Sequence, residues 1–287
     1  MRIVRIAAAL TGSALLIGSL AACGSSAKSS TGATGGNAGA PALPDLGPKA
    51  ELVAAAAVMQ KAGSADVALT SAGGSSGSGS GVYAWSGKPA LDLSEQQSGK
   101  TIKFRAVDGS SYLGVDDTQA ATVGGKHWLD LTTSSGAAGM GDPFTALAVL
   151  MNPAAELTVA AQNGTLSKVG SEQLAGTGTT HYRSSMPAQS LVDQLPNLTD
   201  AQRKAALQVA TSGGATVITD FWVDGKHQLV QMQEQTSDGS SPSSGAGGSS
   251  ASTVKYSNLG VKVSVSPPAA SDQAAPADAL KLLSSLG

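Results

Sequence analysis

The chain has 287 residues, 18 basic and 20 acidic side chains, and a formal charge of −2. No basic stripe with interleaved aromatics occurs, which excludes an ordinary nucleic-acid surface. One cysteine allows no internal disulfide, and three Trp, four Tyr and three Phe leave the core to Val, Leu, Ile, Ala and Met.

The first element is an export signal. Arg2 and Arg5 precede an uncharged apolar run at residues 6–20. That run is shorter than the roughly 20 residues of a membrane span and suits a signal h-region. Leu20-Ala21-Ala22-Cys23 resembles the lipobox of bacterial lipoproteins. The resemblance implies a diacylglyceryl group on the Cys23 thiol and cleavage just before it, so residues 1–22 are the signal. Residues 23–48 are rich in Gly, Ser, Ala and Thr and form a flexible tether. A coil of that length reaches on the order of 25–30 Å.

Residues 49–267 read as one folded domain. "GPKAELVAAAAVMQKAGS" places Leu52, Ala55, Ala56 and Met59 on one helical stripe, with Pro48 near its start and Gly63 as its stop. A run of strands follows: "SADVALTS", "SGVYAWSG", "ALDLSEQ", "TIKFRAVDG", "SSYLGV" and "KHWLDLTT". Their alternation of apolar and polar residues is that of antiparallel strands with one wet face. A helical block starts at Asp142-Pro143 and restarts at Asn152-Pro153. Two strands, "LSKVGSEQLAG" and "TTHYRSSM", lead to "PAQSLVDQL" and "TDAQRKAALQVA", where Thr199 and Gln202 have capping-box spacing. "ATVITDFWVDG" turns through "DGKH" into "QLVQMQEQT". A Gly/Ser loop then precedes "TVKYSNLG" and "VKVSVSP", read as the last strands. The polar, proline-broken segment 268–287 is expected to be disordered.

This order predicts an α+β fold: a large curved antiparallel sheet, a half-barrel, with helices on its concave face. Alternation places Val67, Leu69, Tyr83, Trp85, Ile102, Phe104, Val217, Phe221 and Val223 on that face. A filled core and a lipid-sized cavity both satisfy such a pattern.

Motifs of chemistry are missing. There is no GxSxG elbow, P-loop or SxxK, and no HxxxH or CxxC pair for zinc. His127 and His227 follow Gly-Lys at strand starts and read as solvated. Asp116-Asp117 reads as a solvated turn, and Asp220 and Asp224, flanking Trp222, as part of a wet outer face. No catalytic residue, metal or cofactor is expected, and the chain is read as a non-enzyme.

The opening helix leading into "GSADVAL", then "FRAVDGSSYLGV", "KHWLDL", "GSEQLAGTGTTHYRSSM", "FWVDGKHQLVQMQEQ" and "VKYSNLGVKVSVSPP", in this order after a lipobox, resemble the actinobacterial lipoproteins of the LppX/LprG type, with their LolA/LolB-like fold. The resemblance implies a cavity that takes acyl chains of a lipid or lipoglycan and carries or presents them in the cell envelope. The nine inward residues would line it. The protein would be exported and lipid-anchored through Cys23 to the outer face of the cytoplasmic membrane. An envelope transporter or another membrane protein is a further expected partner. The alternative is a regulatory or structural lipoprotein with a solid core that docks a protein.

Overall fold

A computed structural model describes residues 47–71, 77–97, 99–132, 148–195, 198–211, 213–237 and 251–284. The signal, Cys23, the tether up to residue 46, the Asp142-Pro143 helix start and the loop at 238–250 lie outside the described residues.

Helix α1 (Gly47–Ala62) buries Leu52, Ala55, Ala56 and Met59, the stripe its spacing predicts. Gly63 stops it at φ +70° and donates its N–H to the Met59 carbonyl at 3.0 Å. A Cβ at this left-handed position would also meet Ser86 Oγ at 2.7 Å, so both backbone and space call for glycine.

The strands are β1 (Ser64–Ser71), β2 (Gly77–Ala84), β3 (Ala90–Gln97), β4 (Lys100–Val107), β5 (Ser110–Gly114), β6 (Trp128–Asp130), β7 (Thr165–Leu174), β8 (Thr177–Pro187), β9 (Thr216–Asp224), β10 (Leu229–Ser237) and β11 (Ser252–Ser257). They form one open sheet in the order β6-β5-β4-β3-β2-β1-β11-β10-β9-β8-β7, antiparallel throughout. The chain runs outward from β1 to β6, then inward from β7 to β11, and β11 closes onto β1. The remaining helices are α2 (Asp117–Ala120), α3 (Pro153–Asn163), α4 (Ala188–Gln194), α5 (Asp200–Ala210) and α6 (Ala279–Ser284). Asn152 caps α3 by accepting from the N–H groups of Ala154 and Ala155, with Pro153 in the first turn; Thr199 and Gln202 form the expected capping box on α5. α1 and α3 pack together. Their buried Leu52, Met59 and Leu157 share one core with Tyr83, Phe221 and Val217 of the sheet. The expected α+β layering is present.

The tail departs from the expected disorder. Arg105, 4.6 Å over the Trp128 ring, donates to the Ser266 carbonyl at 3.0 Å. Val265 packs with Val107, Tyr112 and Trp128 on the outer face. Gln273 then bridges Trp128 in parallel, and the Ala274 N–H donates to the Trp128 carbonyl at 2.7 Å. Beyond that edge Ala274, Ala279 and Leu282 enter a second core with Leu113, Leu129 and Leu131. β6 is an edge strand, and the tail covers its free backbone groups. A few buried residues suffice for this, whatever the mean polarity of the segment. "VKVSVSP" is no strand either: it is extended without a ladder partner.

The tail is clasped where solvated side chains were expected. The Asp272 carboxylate accepts from the His127 backbone N–H at 3.1 Å and lies 2.9 Å from its Nδ1; Nε2 lies 3.0 Å from Asp117. Asp116 is a helix cap, accepting from the N–H groups of Thr118 and Gln119. The hydrogen bonds with Asp272, then Asp117, raise the His127 pKa above 6.5, and His127 lowers that of Asp272 below 3.8. The histidine part of this stabilisation is fully present below pH 6.5 and lost as pH rises through the raised value; the aspartate part is lost as pH falls through the lowered one. The protection factor of the Ala274 amide, its exchange relative to the free-peptide rate at the same pH, should therefore be highest between those limits. His127→Ala should flatten the dependence on the alkaline side.

Candidate functional site

A cleft of about 600 Å³ opens between the first turns of α1 and strands β7, β8 and β9. Register decides what faces it. Lys168 lies opposite Tyr182, and Ser171 opposite Thr180, which in turn lies opposite Val223. Side chains directly opposite share a face, so these five turn toward the helices. Tyr182 and Val223 are core residues, 4 % and 2 % exposed. They make an apolar floor under a rim that includes Glu51, Lys168, Thr180 and His227.

The rim is held across elements. In the β9–β10 turn, Asp224 Oδ1 accepts from the N–H groups of Lys226 and Gln228, both at 2.8 Å. The turn places His227 at φ +59°, with its Nδ1 2.6 Å from Glu51 Oε1 on α1. His227 is thus engaged with a buried carboxyl rather than solvated, and it pins α1 to the strand end.

Of the nine inward residues named from the sequence, Val67, Tyr83, Trp85, Phe104, Val217, Phe221 and Val223 are buried in the main core. Leu69 is half-buried against it, while Ile102 packs on the second core with Leu113. Only Val223 among the nine borders the cleft. The centre of the layer is occupied by Leu52, Met59 and Leu157, each 0 % exposed. These described side chains fill the space between α1, α3 and the sheet.

The outer face of β7–β9 is dry at Asp220 and Trp222, while Arg183 and Glu172 on it stay partly exposed. Asp220 is 2 % exposed. Its carboxylate accepts from Arg183 Nε at 2.8 Å and Nη2 at 3.0 Å, and lies 2.6 Å from His181 Nε2. The His181 ring stacks on Trp222 with centroids 4.3 Å apart, and Trp222 Nε1 donates to Glu172. Three nitrogens from two residues hold the Asp220 carboxylate. It staples β8 to β9 and is poorly placed to act as a base.

Inside, α3 turns Glu156 toward the sheet at 1 % exposure, with Oε1 unpaired. Burial, then repulsion from Glu234 on β10, pushes its pKa well above the carboxylate range; burial pushes Glu234 to about 7. An acid with a raised folded pKa contributes least above that pKa, so stability falls as pH rises beyond its unfolded 4.5. Glu156→Gln should melt higher than the parent at about pH 8 and gain little at about pH 4.

Sequence reasoning did not find Glu51, His227, Tyr182, Glu156 or Glu234. Glu156 carried a signal: it is an acid on the apolar face of "PAAELTVAA", beside Leu157 and Ala160. Glu51 and His227 carried none, being 176 positions apart.

No protein-family model matches the chain. It is 33% identical over 203 residues to an uncharacterised 31.2 kDa protein of Streptomyces griseus, covering 68% of this chain and 63% of that one. It is 29% identical over 192 residues to a Streptomyces coelicolor protein described as a lipoprotein, covering 65% and 54%. The chain thus spans less than two thirds of either relative. Solved structures similar to it include LprF of Mycobacterium bovis, with TM-score 0.46, 12% identity and coverage of 77% of this chain and 99% of that one. LppX of Mycobacterium tuberculosis gives TM-score 0.45, 17% identity and coverage of 75% and 98%.

Proposed function

We propose that the protein is an envelope lipoprotein, anchored through Cys23, that binds an acyl chain of a lipid or lipoglycan between sheet and helices, with the cleft beside Glu51 and His227 as its mouth. One observation carries this reading: a polar rim stands directly over core residues Tyr182 and Val223. An amphipathic ligand has the same division. Each CH₂ withheld from water during transfer is worth about 0.8 kcal/mol, so a dry layer that parts to admit a chain offsets its loss of the bilayer. The layer is suited to parting. α1 presents Ala55 and Ala56 as well as Leu52 and Met59 to its interior face, and small side chains interlock shallowly.

The position of the mouth supports the anchor. Glu51 lies in the second turn's start of α1, which begins at Gly47, 24 positions after Cys23. A coil of that length puts its far end at an r.m.s. distance on the order of 25–30 Å from the anchor. The Streptomyces coelicolor relative described as a lipoprotein agrees with this placement. The reading is non-enzymatic, in keeping with an Asp220 engaged by Arg183 and His181, and the domain of residues 49–267 is taken as the binding unit.

Uptake of a pyrene-labelled fatty acid, followed by its emission, tests the mouth. Thr180→Trp and Ser171→Trp fill the cleft from half-buried and exposed positions without placing a charge in the core. Each should weaken uptake by roughly tenfold or more. Unchanged uptake in both folded variants would move the entrance elsewhere, and a parent chain that takes no probe would remove the lipid reading.

A further inference from the structure

The acid pair inside the layer lacks a counterpart. Glu156 comes from α3 and Glu234 from β10; among the described residues Tyr256 of β11 faces both, and Tyr83 of β2 lies beside Tyr256. The tyrosine hydroxyl protons are already committed. Tyr83 Oη donates to the Ala148 carbonyl at 2.5 Å, and Tyr256 Oη to the Met151 carbonyl at 3.1 Å. Neither phenol is left to donate to Glu156 Oε1, which stays unpaired at 1 % exposure. Among the described residues, no ion pair includes Glu156 or Glu234. Buried carboxyls are ordinarily matched by a cation or by hydrogen-bond donors. Here leucine would fill the volume at 156 without the penalty of an unmade bond. The unpaired Glu156 Oε1 is an open acceptor that a donor from outside the chain would satisfy.

We propose that Glu156 and Glu234 seat the protonated amine of an amphipathic ligand whose hydrocarbon lies in the same apolar layer. The inference deepens the lipid-binding reading, on which it rests for the hydrocarbon, by naming the polar group. An ammonium brings a positive charge and three N–H donors to two carboxyls, in surroundings where charge attraction is weakly screened. A hydroxyl brings one donor and no charge. A carboxylate or phosphate is repelled. Without the amine, burial favours the protonated acids; with it, they ionise, so binding releases protons. Affinity for the amine therefore rises with pH through the region near 7 where Glu234 titrates. Tyr83 and Tyr256 stay neutral there, because burial raises both phenols.

Calorimetric titration of the whole mature chain with dodecylamine, 1-dodecanol and dodecanoate tests the seat. At about pH 8 dodecylamine should bind at least roughly tenfold tighter than 1-dodecanol, and the advantage should shrink at about pH 6. Glu156→Gln and Glu234→Gln should each bring the affinity for dodecylamine down to that for 1-dodecanol measured in the same folded variant. Should Glu156→Gln fail to fold, Glu234→Gln, at a partly accessible position, carries the comparison. Equal binding of all three probes, or a preference that survives in the folded variants, overturns the amine seat and leaves the lipid reading standing. Binding of none of them overturns both.

Discussion

Cys23→Ala is expected to release the protein from the membrane pellet into the soluble fraction and to abolish incorporation of an alkyne-labelled fatty acid. Both acyl chains of a diacylglyceryl group hang from the one sulfur, so the substitution removes them together. A single chain holds a protein only marginally, at about 0.8 kcal/mol per buried CH₂, whereas two hold it stably. The apolar run before Cys23, residues 6–20, is shorter than a span needs. No helix among the described residues is long and apolar enough to cross a membrane. The expected change is thus from almost wholly pelleted to almost wholly soluble. Fatty-acid labelling that persists in Cys23→Ala would place the modification elsewhere.

Asp220→Ala should give the largest loss of stability among single changes outside the apolar core. The carboxylate is buried on the outer face and receives Arg183 through two nitrogens, with His181 beside it. Removing one partner of such a set costs about 3–5 kcal/mol when all members are buried. Arg183 is partly exposed and recovers some hydration, which brings the expectation to about 3 kcal/mol. In a domain of this size that is a fall in Tm of about 6–12 °C. Asp220→Asn, which keeps one acceptor oxygen and loses the charge, should fall between. A double-mutant cycle with Arg183→Ala should show strong coupling, since the two residues share their hydrogen bonds. Simple additivity would mean that the pair is only a surface contact.

Asp220 also shows where sequence periodicity stops being informative. In "TVITDFWVD" the inward set Val217, Phe221 and Val223 is legible from a period of two, and the structure buries all three. The opposite set reads as wet because Asp220 and Asp224 belong to it. What dries it is register: His181 lies opposite Trp222, and Arg183 opposite Asp220. Cross-strand pairing over 37 to 39 positions leaves no local mark. The last valines teach the converse. Val261, Val263 and Val265 alternate with Lys262 and Ser264 and are half-buried as a strand would be, yet the segment has no ladder. Alternation reports a surface with one dry side; hydrogen-bond partners are a separate matter.

Three helix ends were legible to the residue, whereas Asp116, read as a solvated turn, caps α2. Thr199 with Gln202, Asn152 with Pro153, and Gly63 are short-range arrangements complete within a turn of chain. The cleft was not legible, because Glu51, Tyr182 and His227 meet only once the start of α1 packs at the β7 end of the sheet. The tail misled for a different reason. Its composition is that of a disordered segment, but Ala274, Ala279 and Leu282 meet a ready apolar surface beside an uncovered strand edge. Mean polarity does not register three well-placed residues.

The mass of the native protein, isolated from its own cells and followed by organic extraction, addresses the lipid reading most directly. Bound acyl lipid close to one per chain, in addition to the group on Cys23, and displaced when Thr180→Trp fills the cleft, is the outcome expected of a layer that parts for hydrocarbon. A mass accounted for by polypeptide and anchor alone, in a protein that also leaves the pyrene-labelled fatty acid in solution, would show that the space between sheet and helices is a closed core.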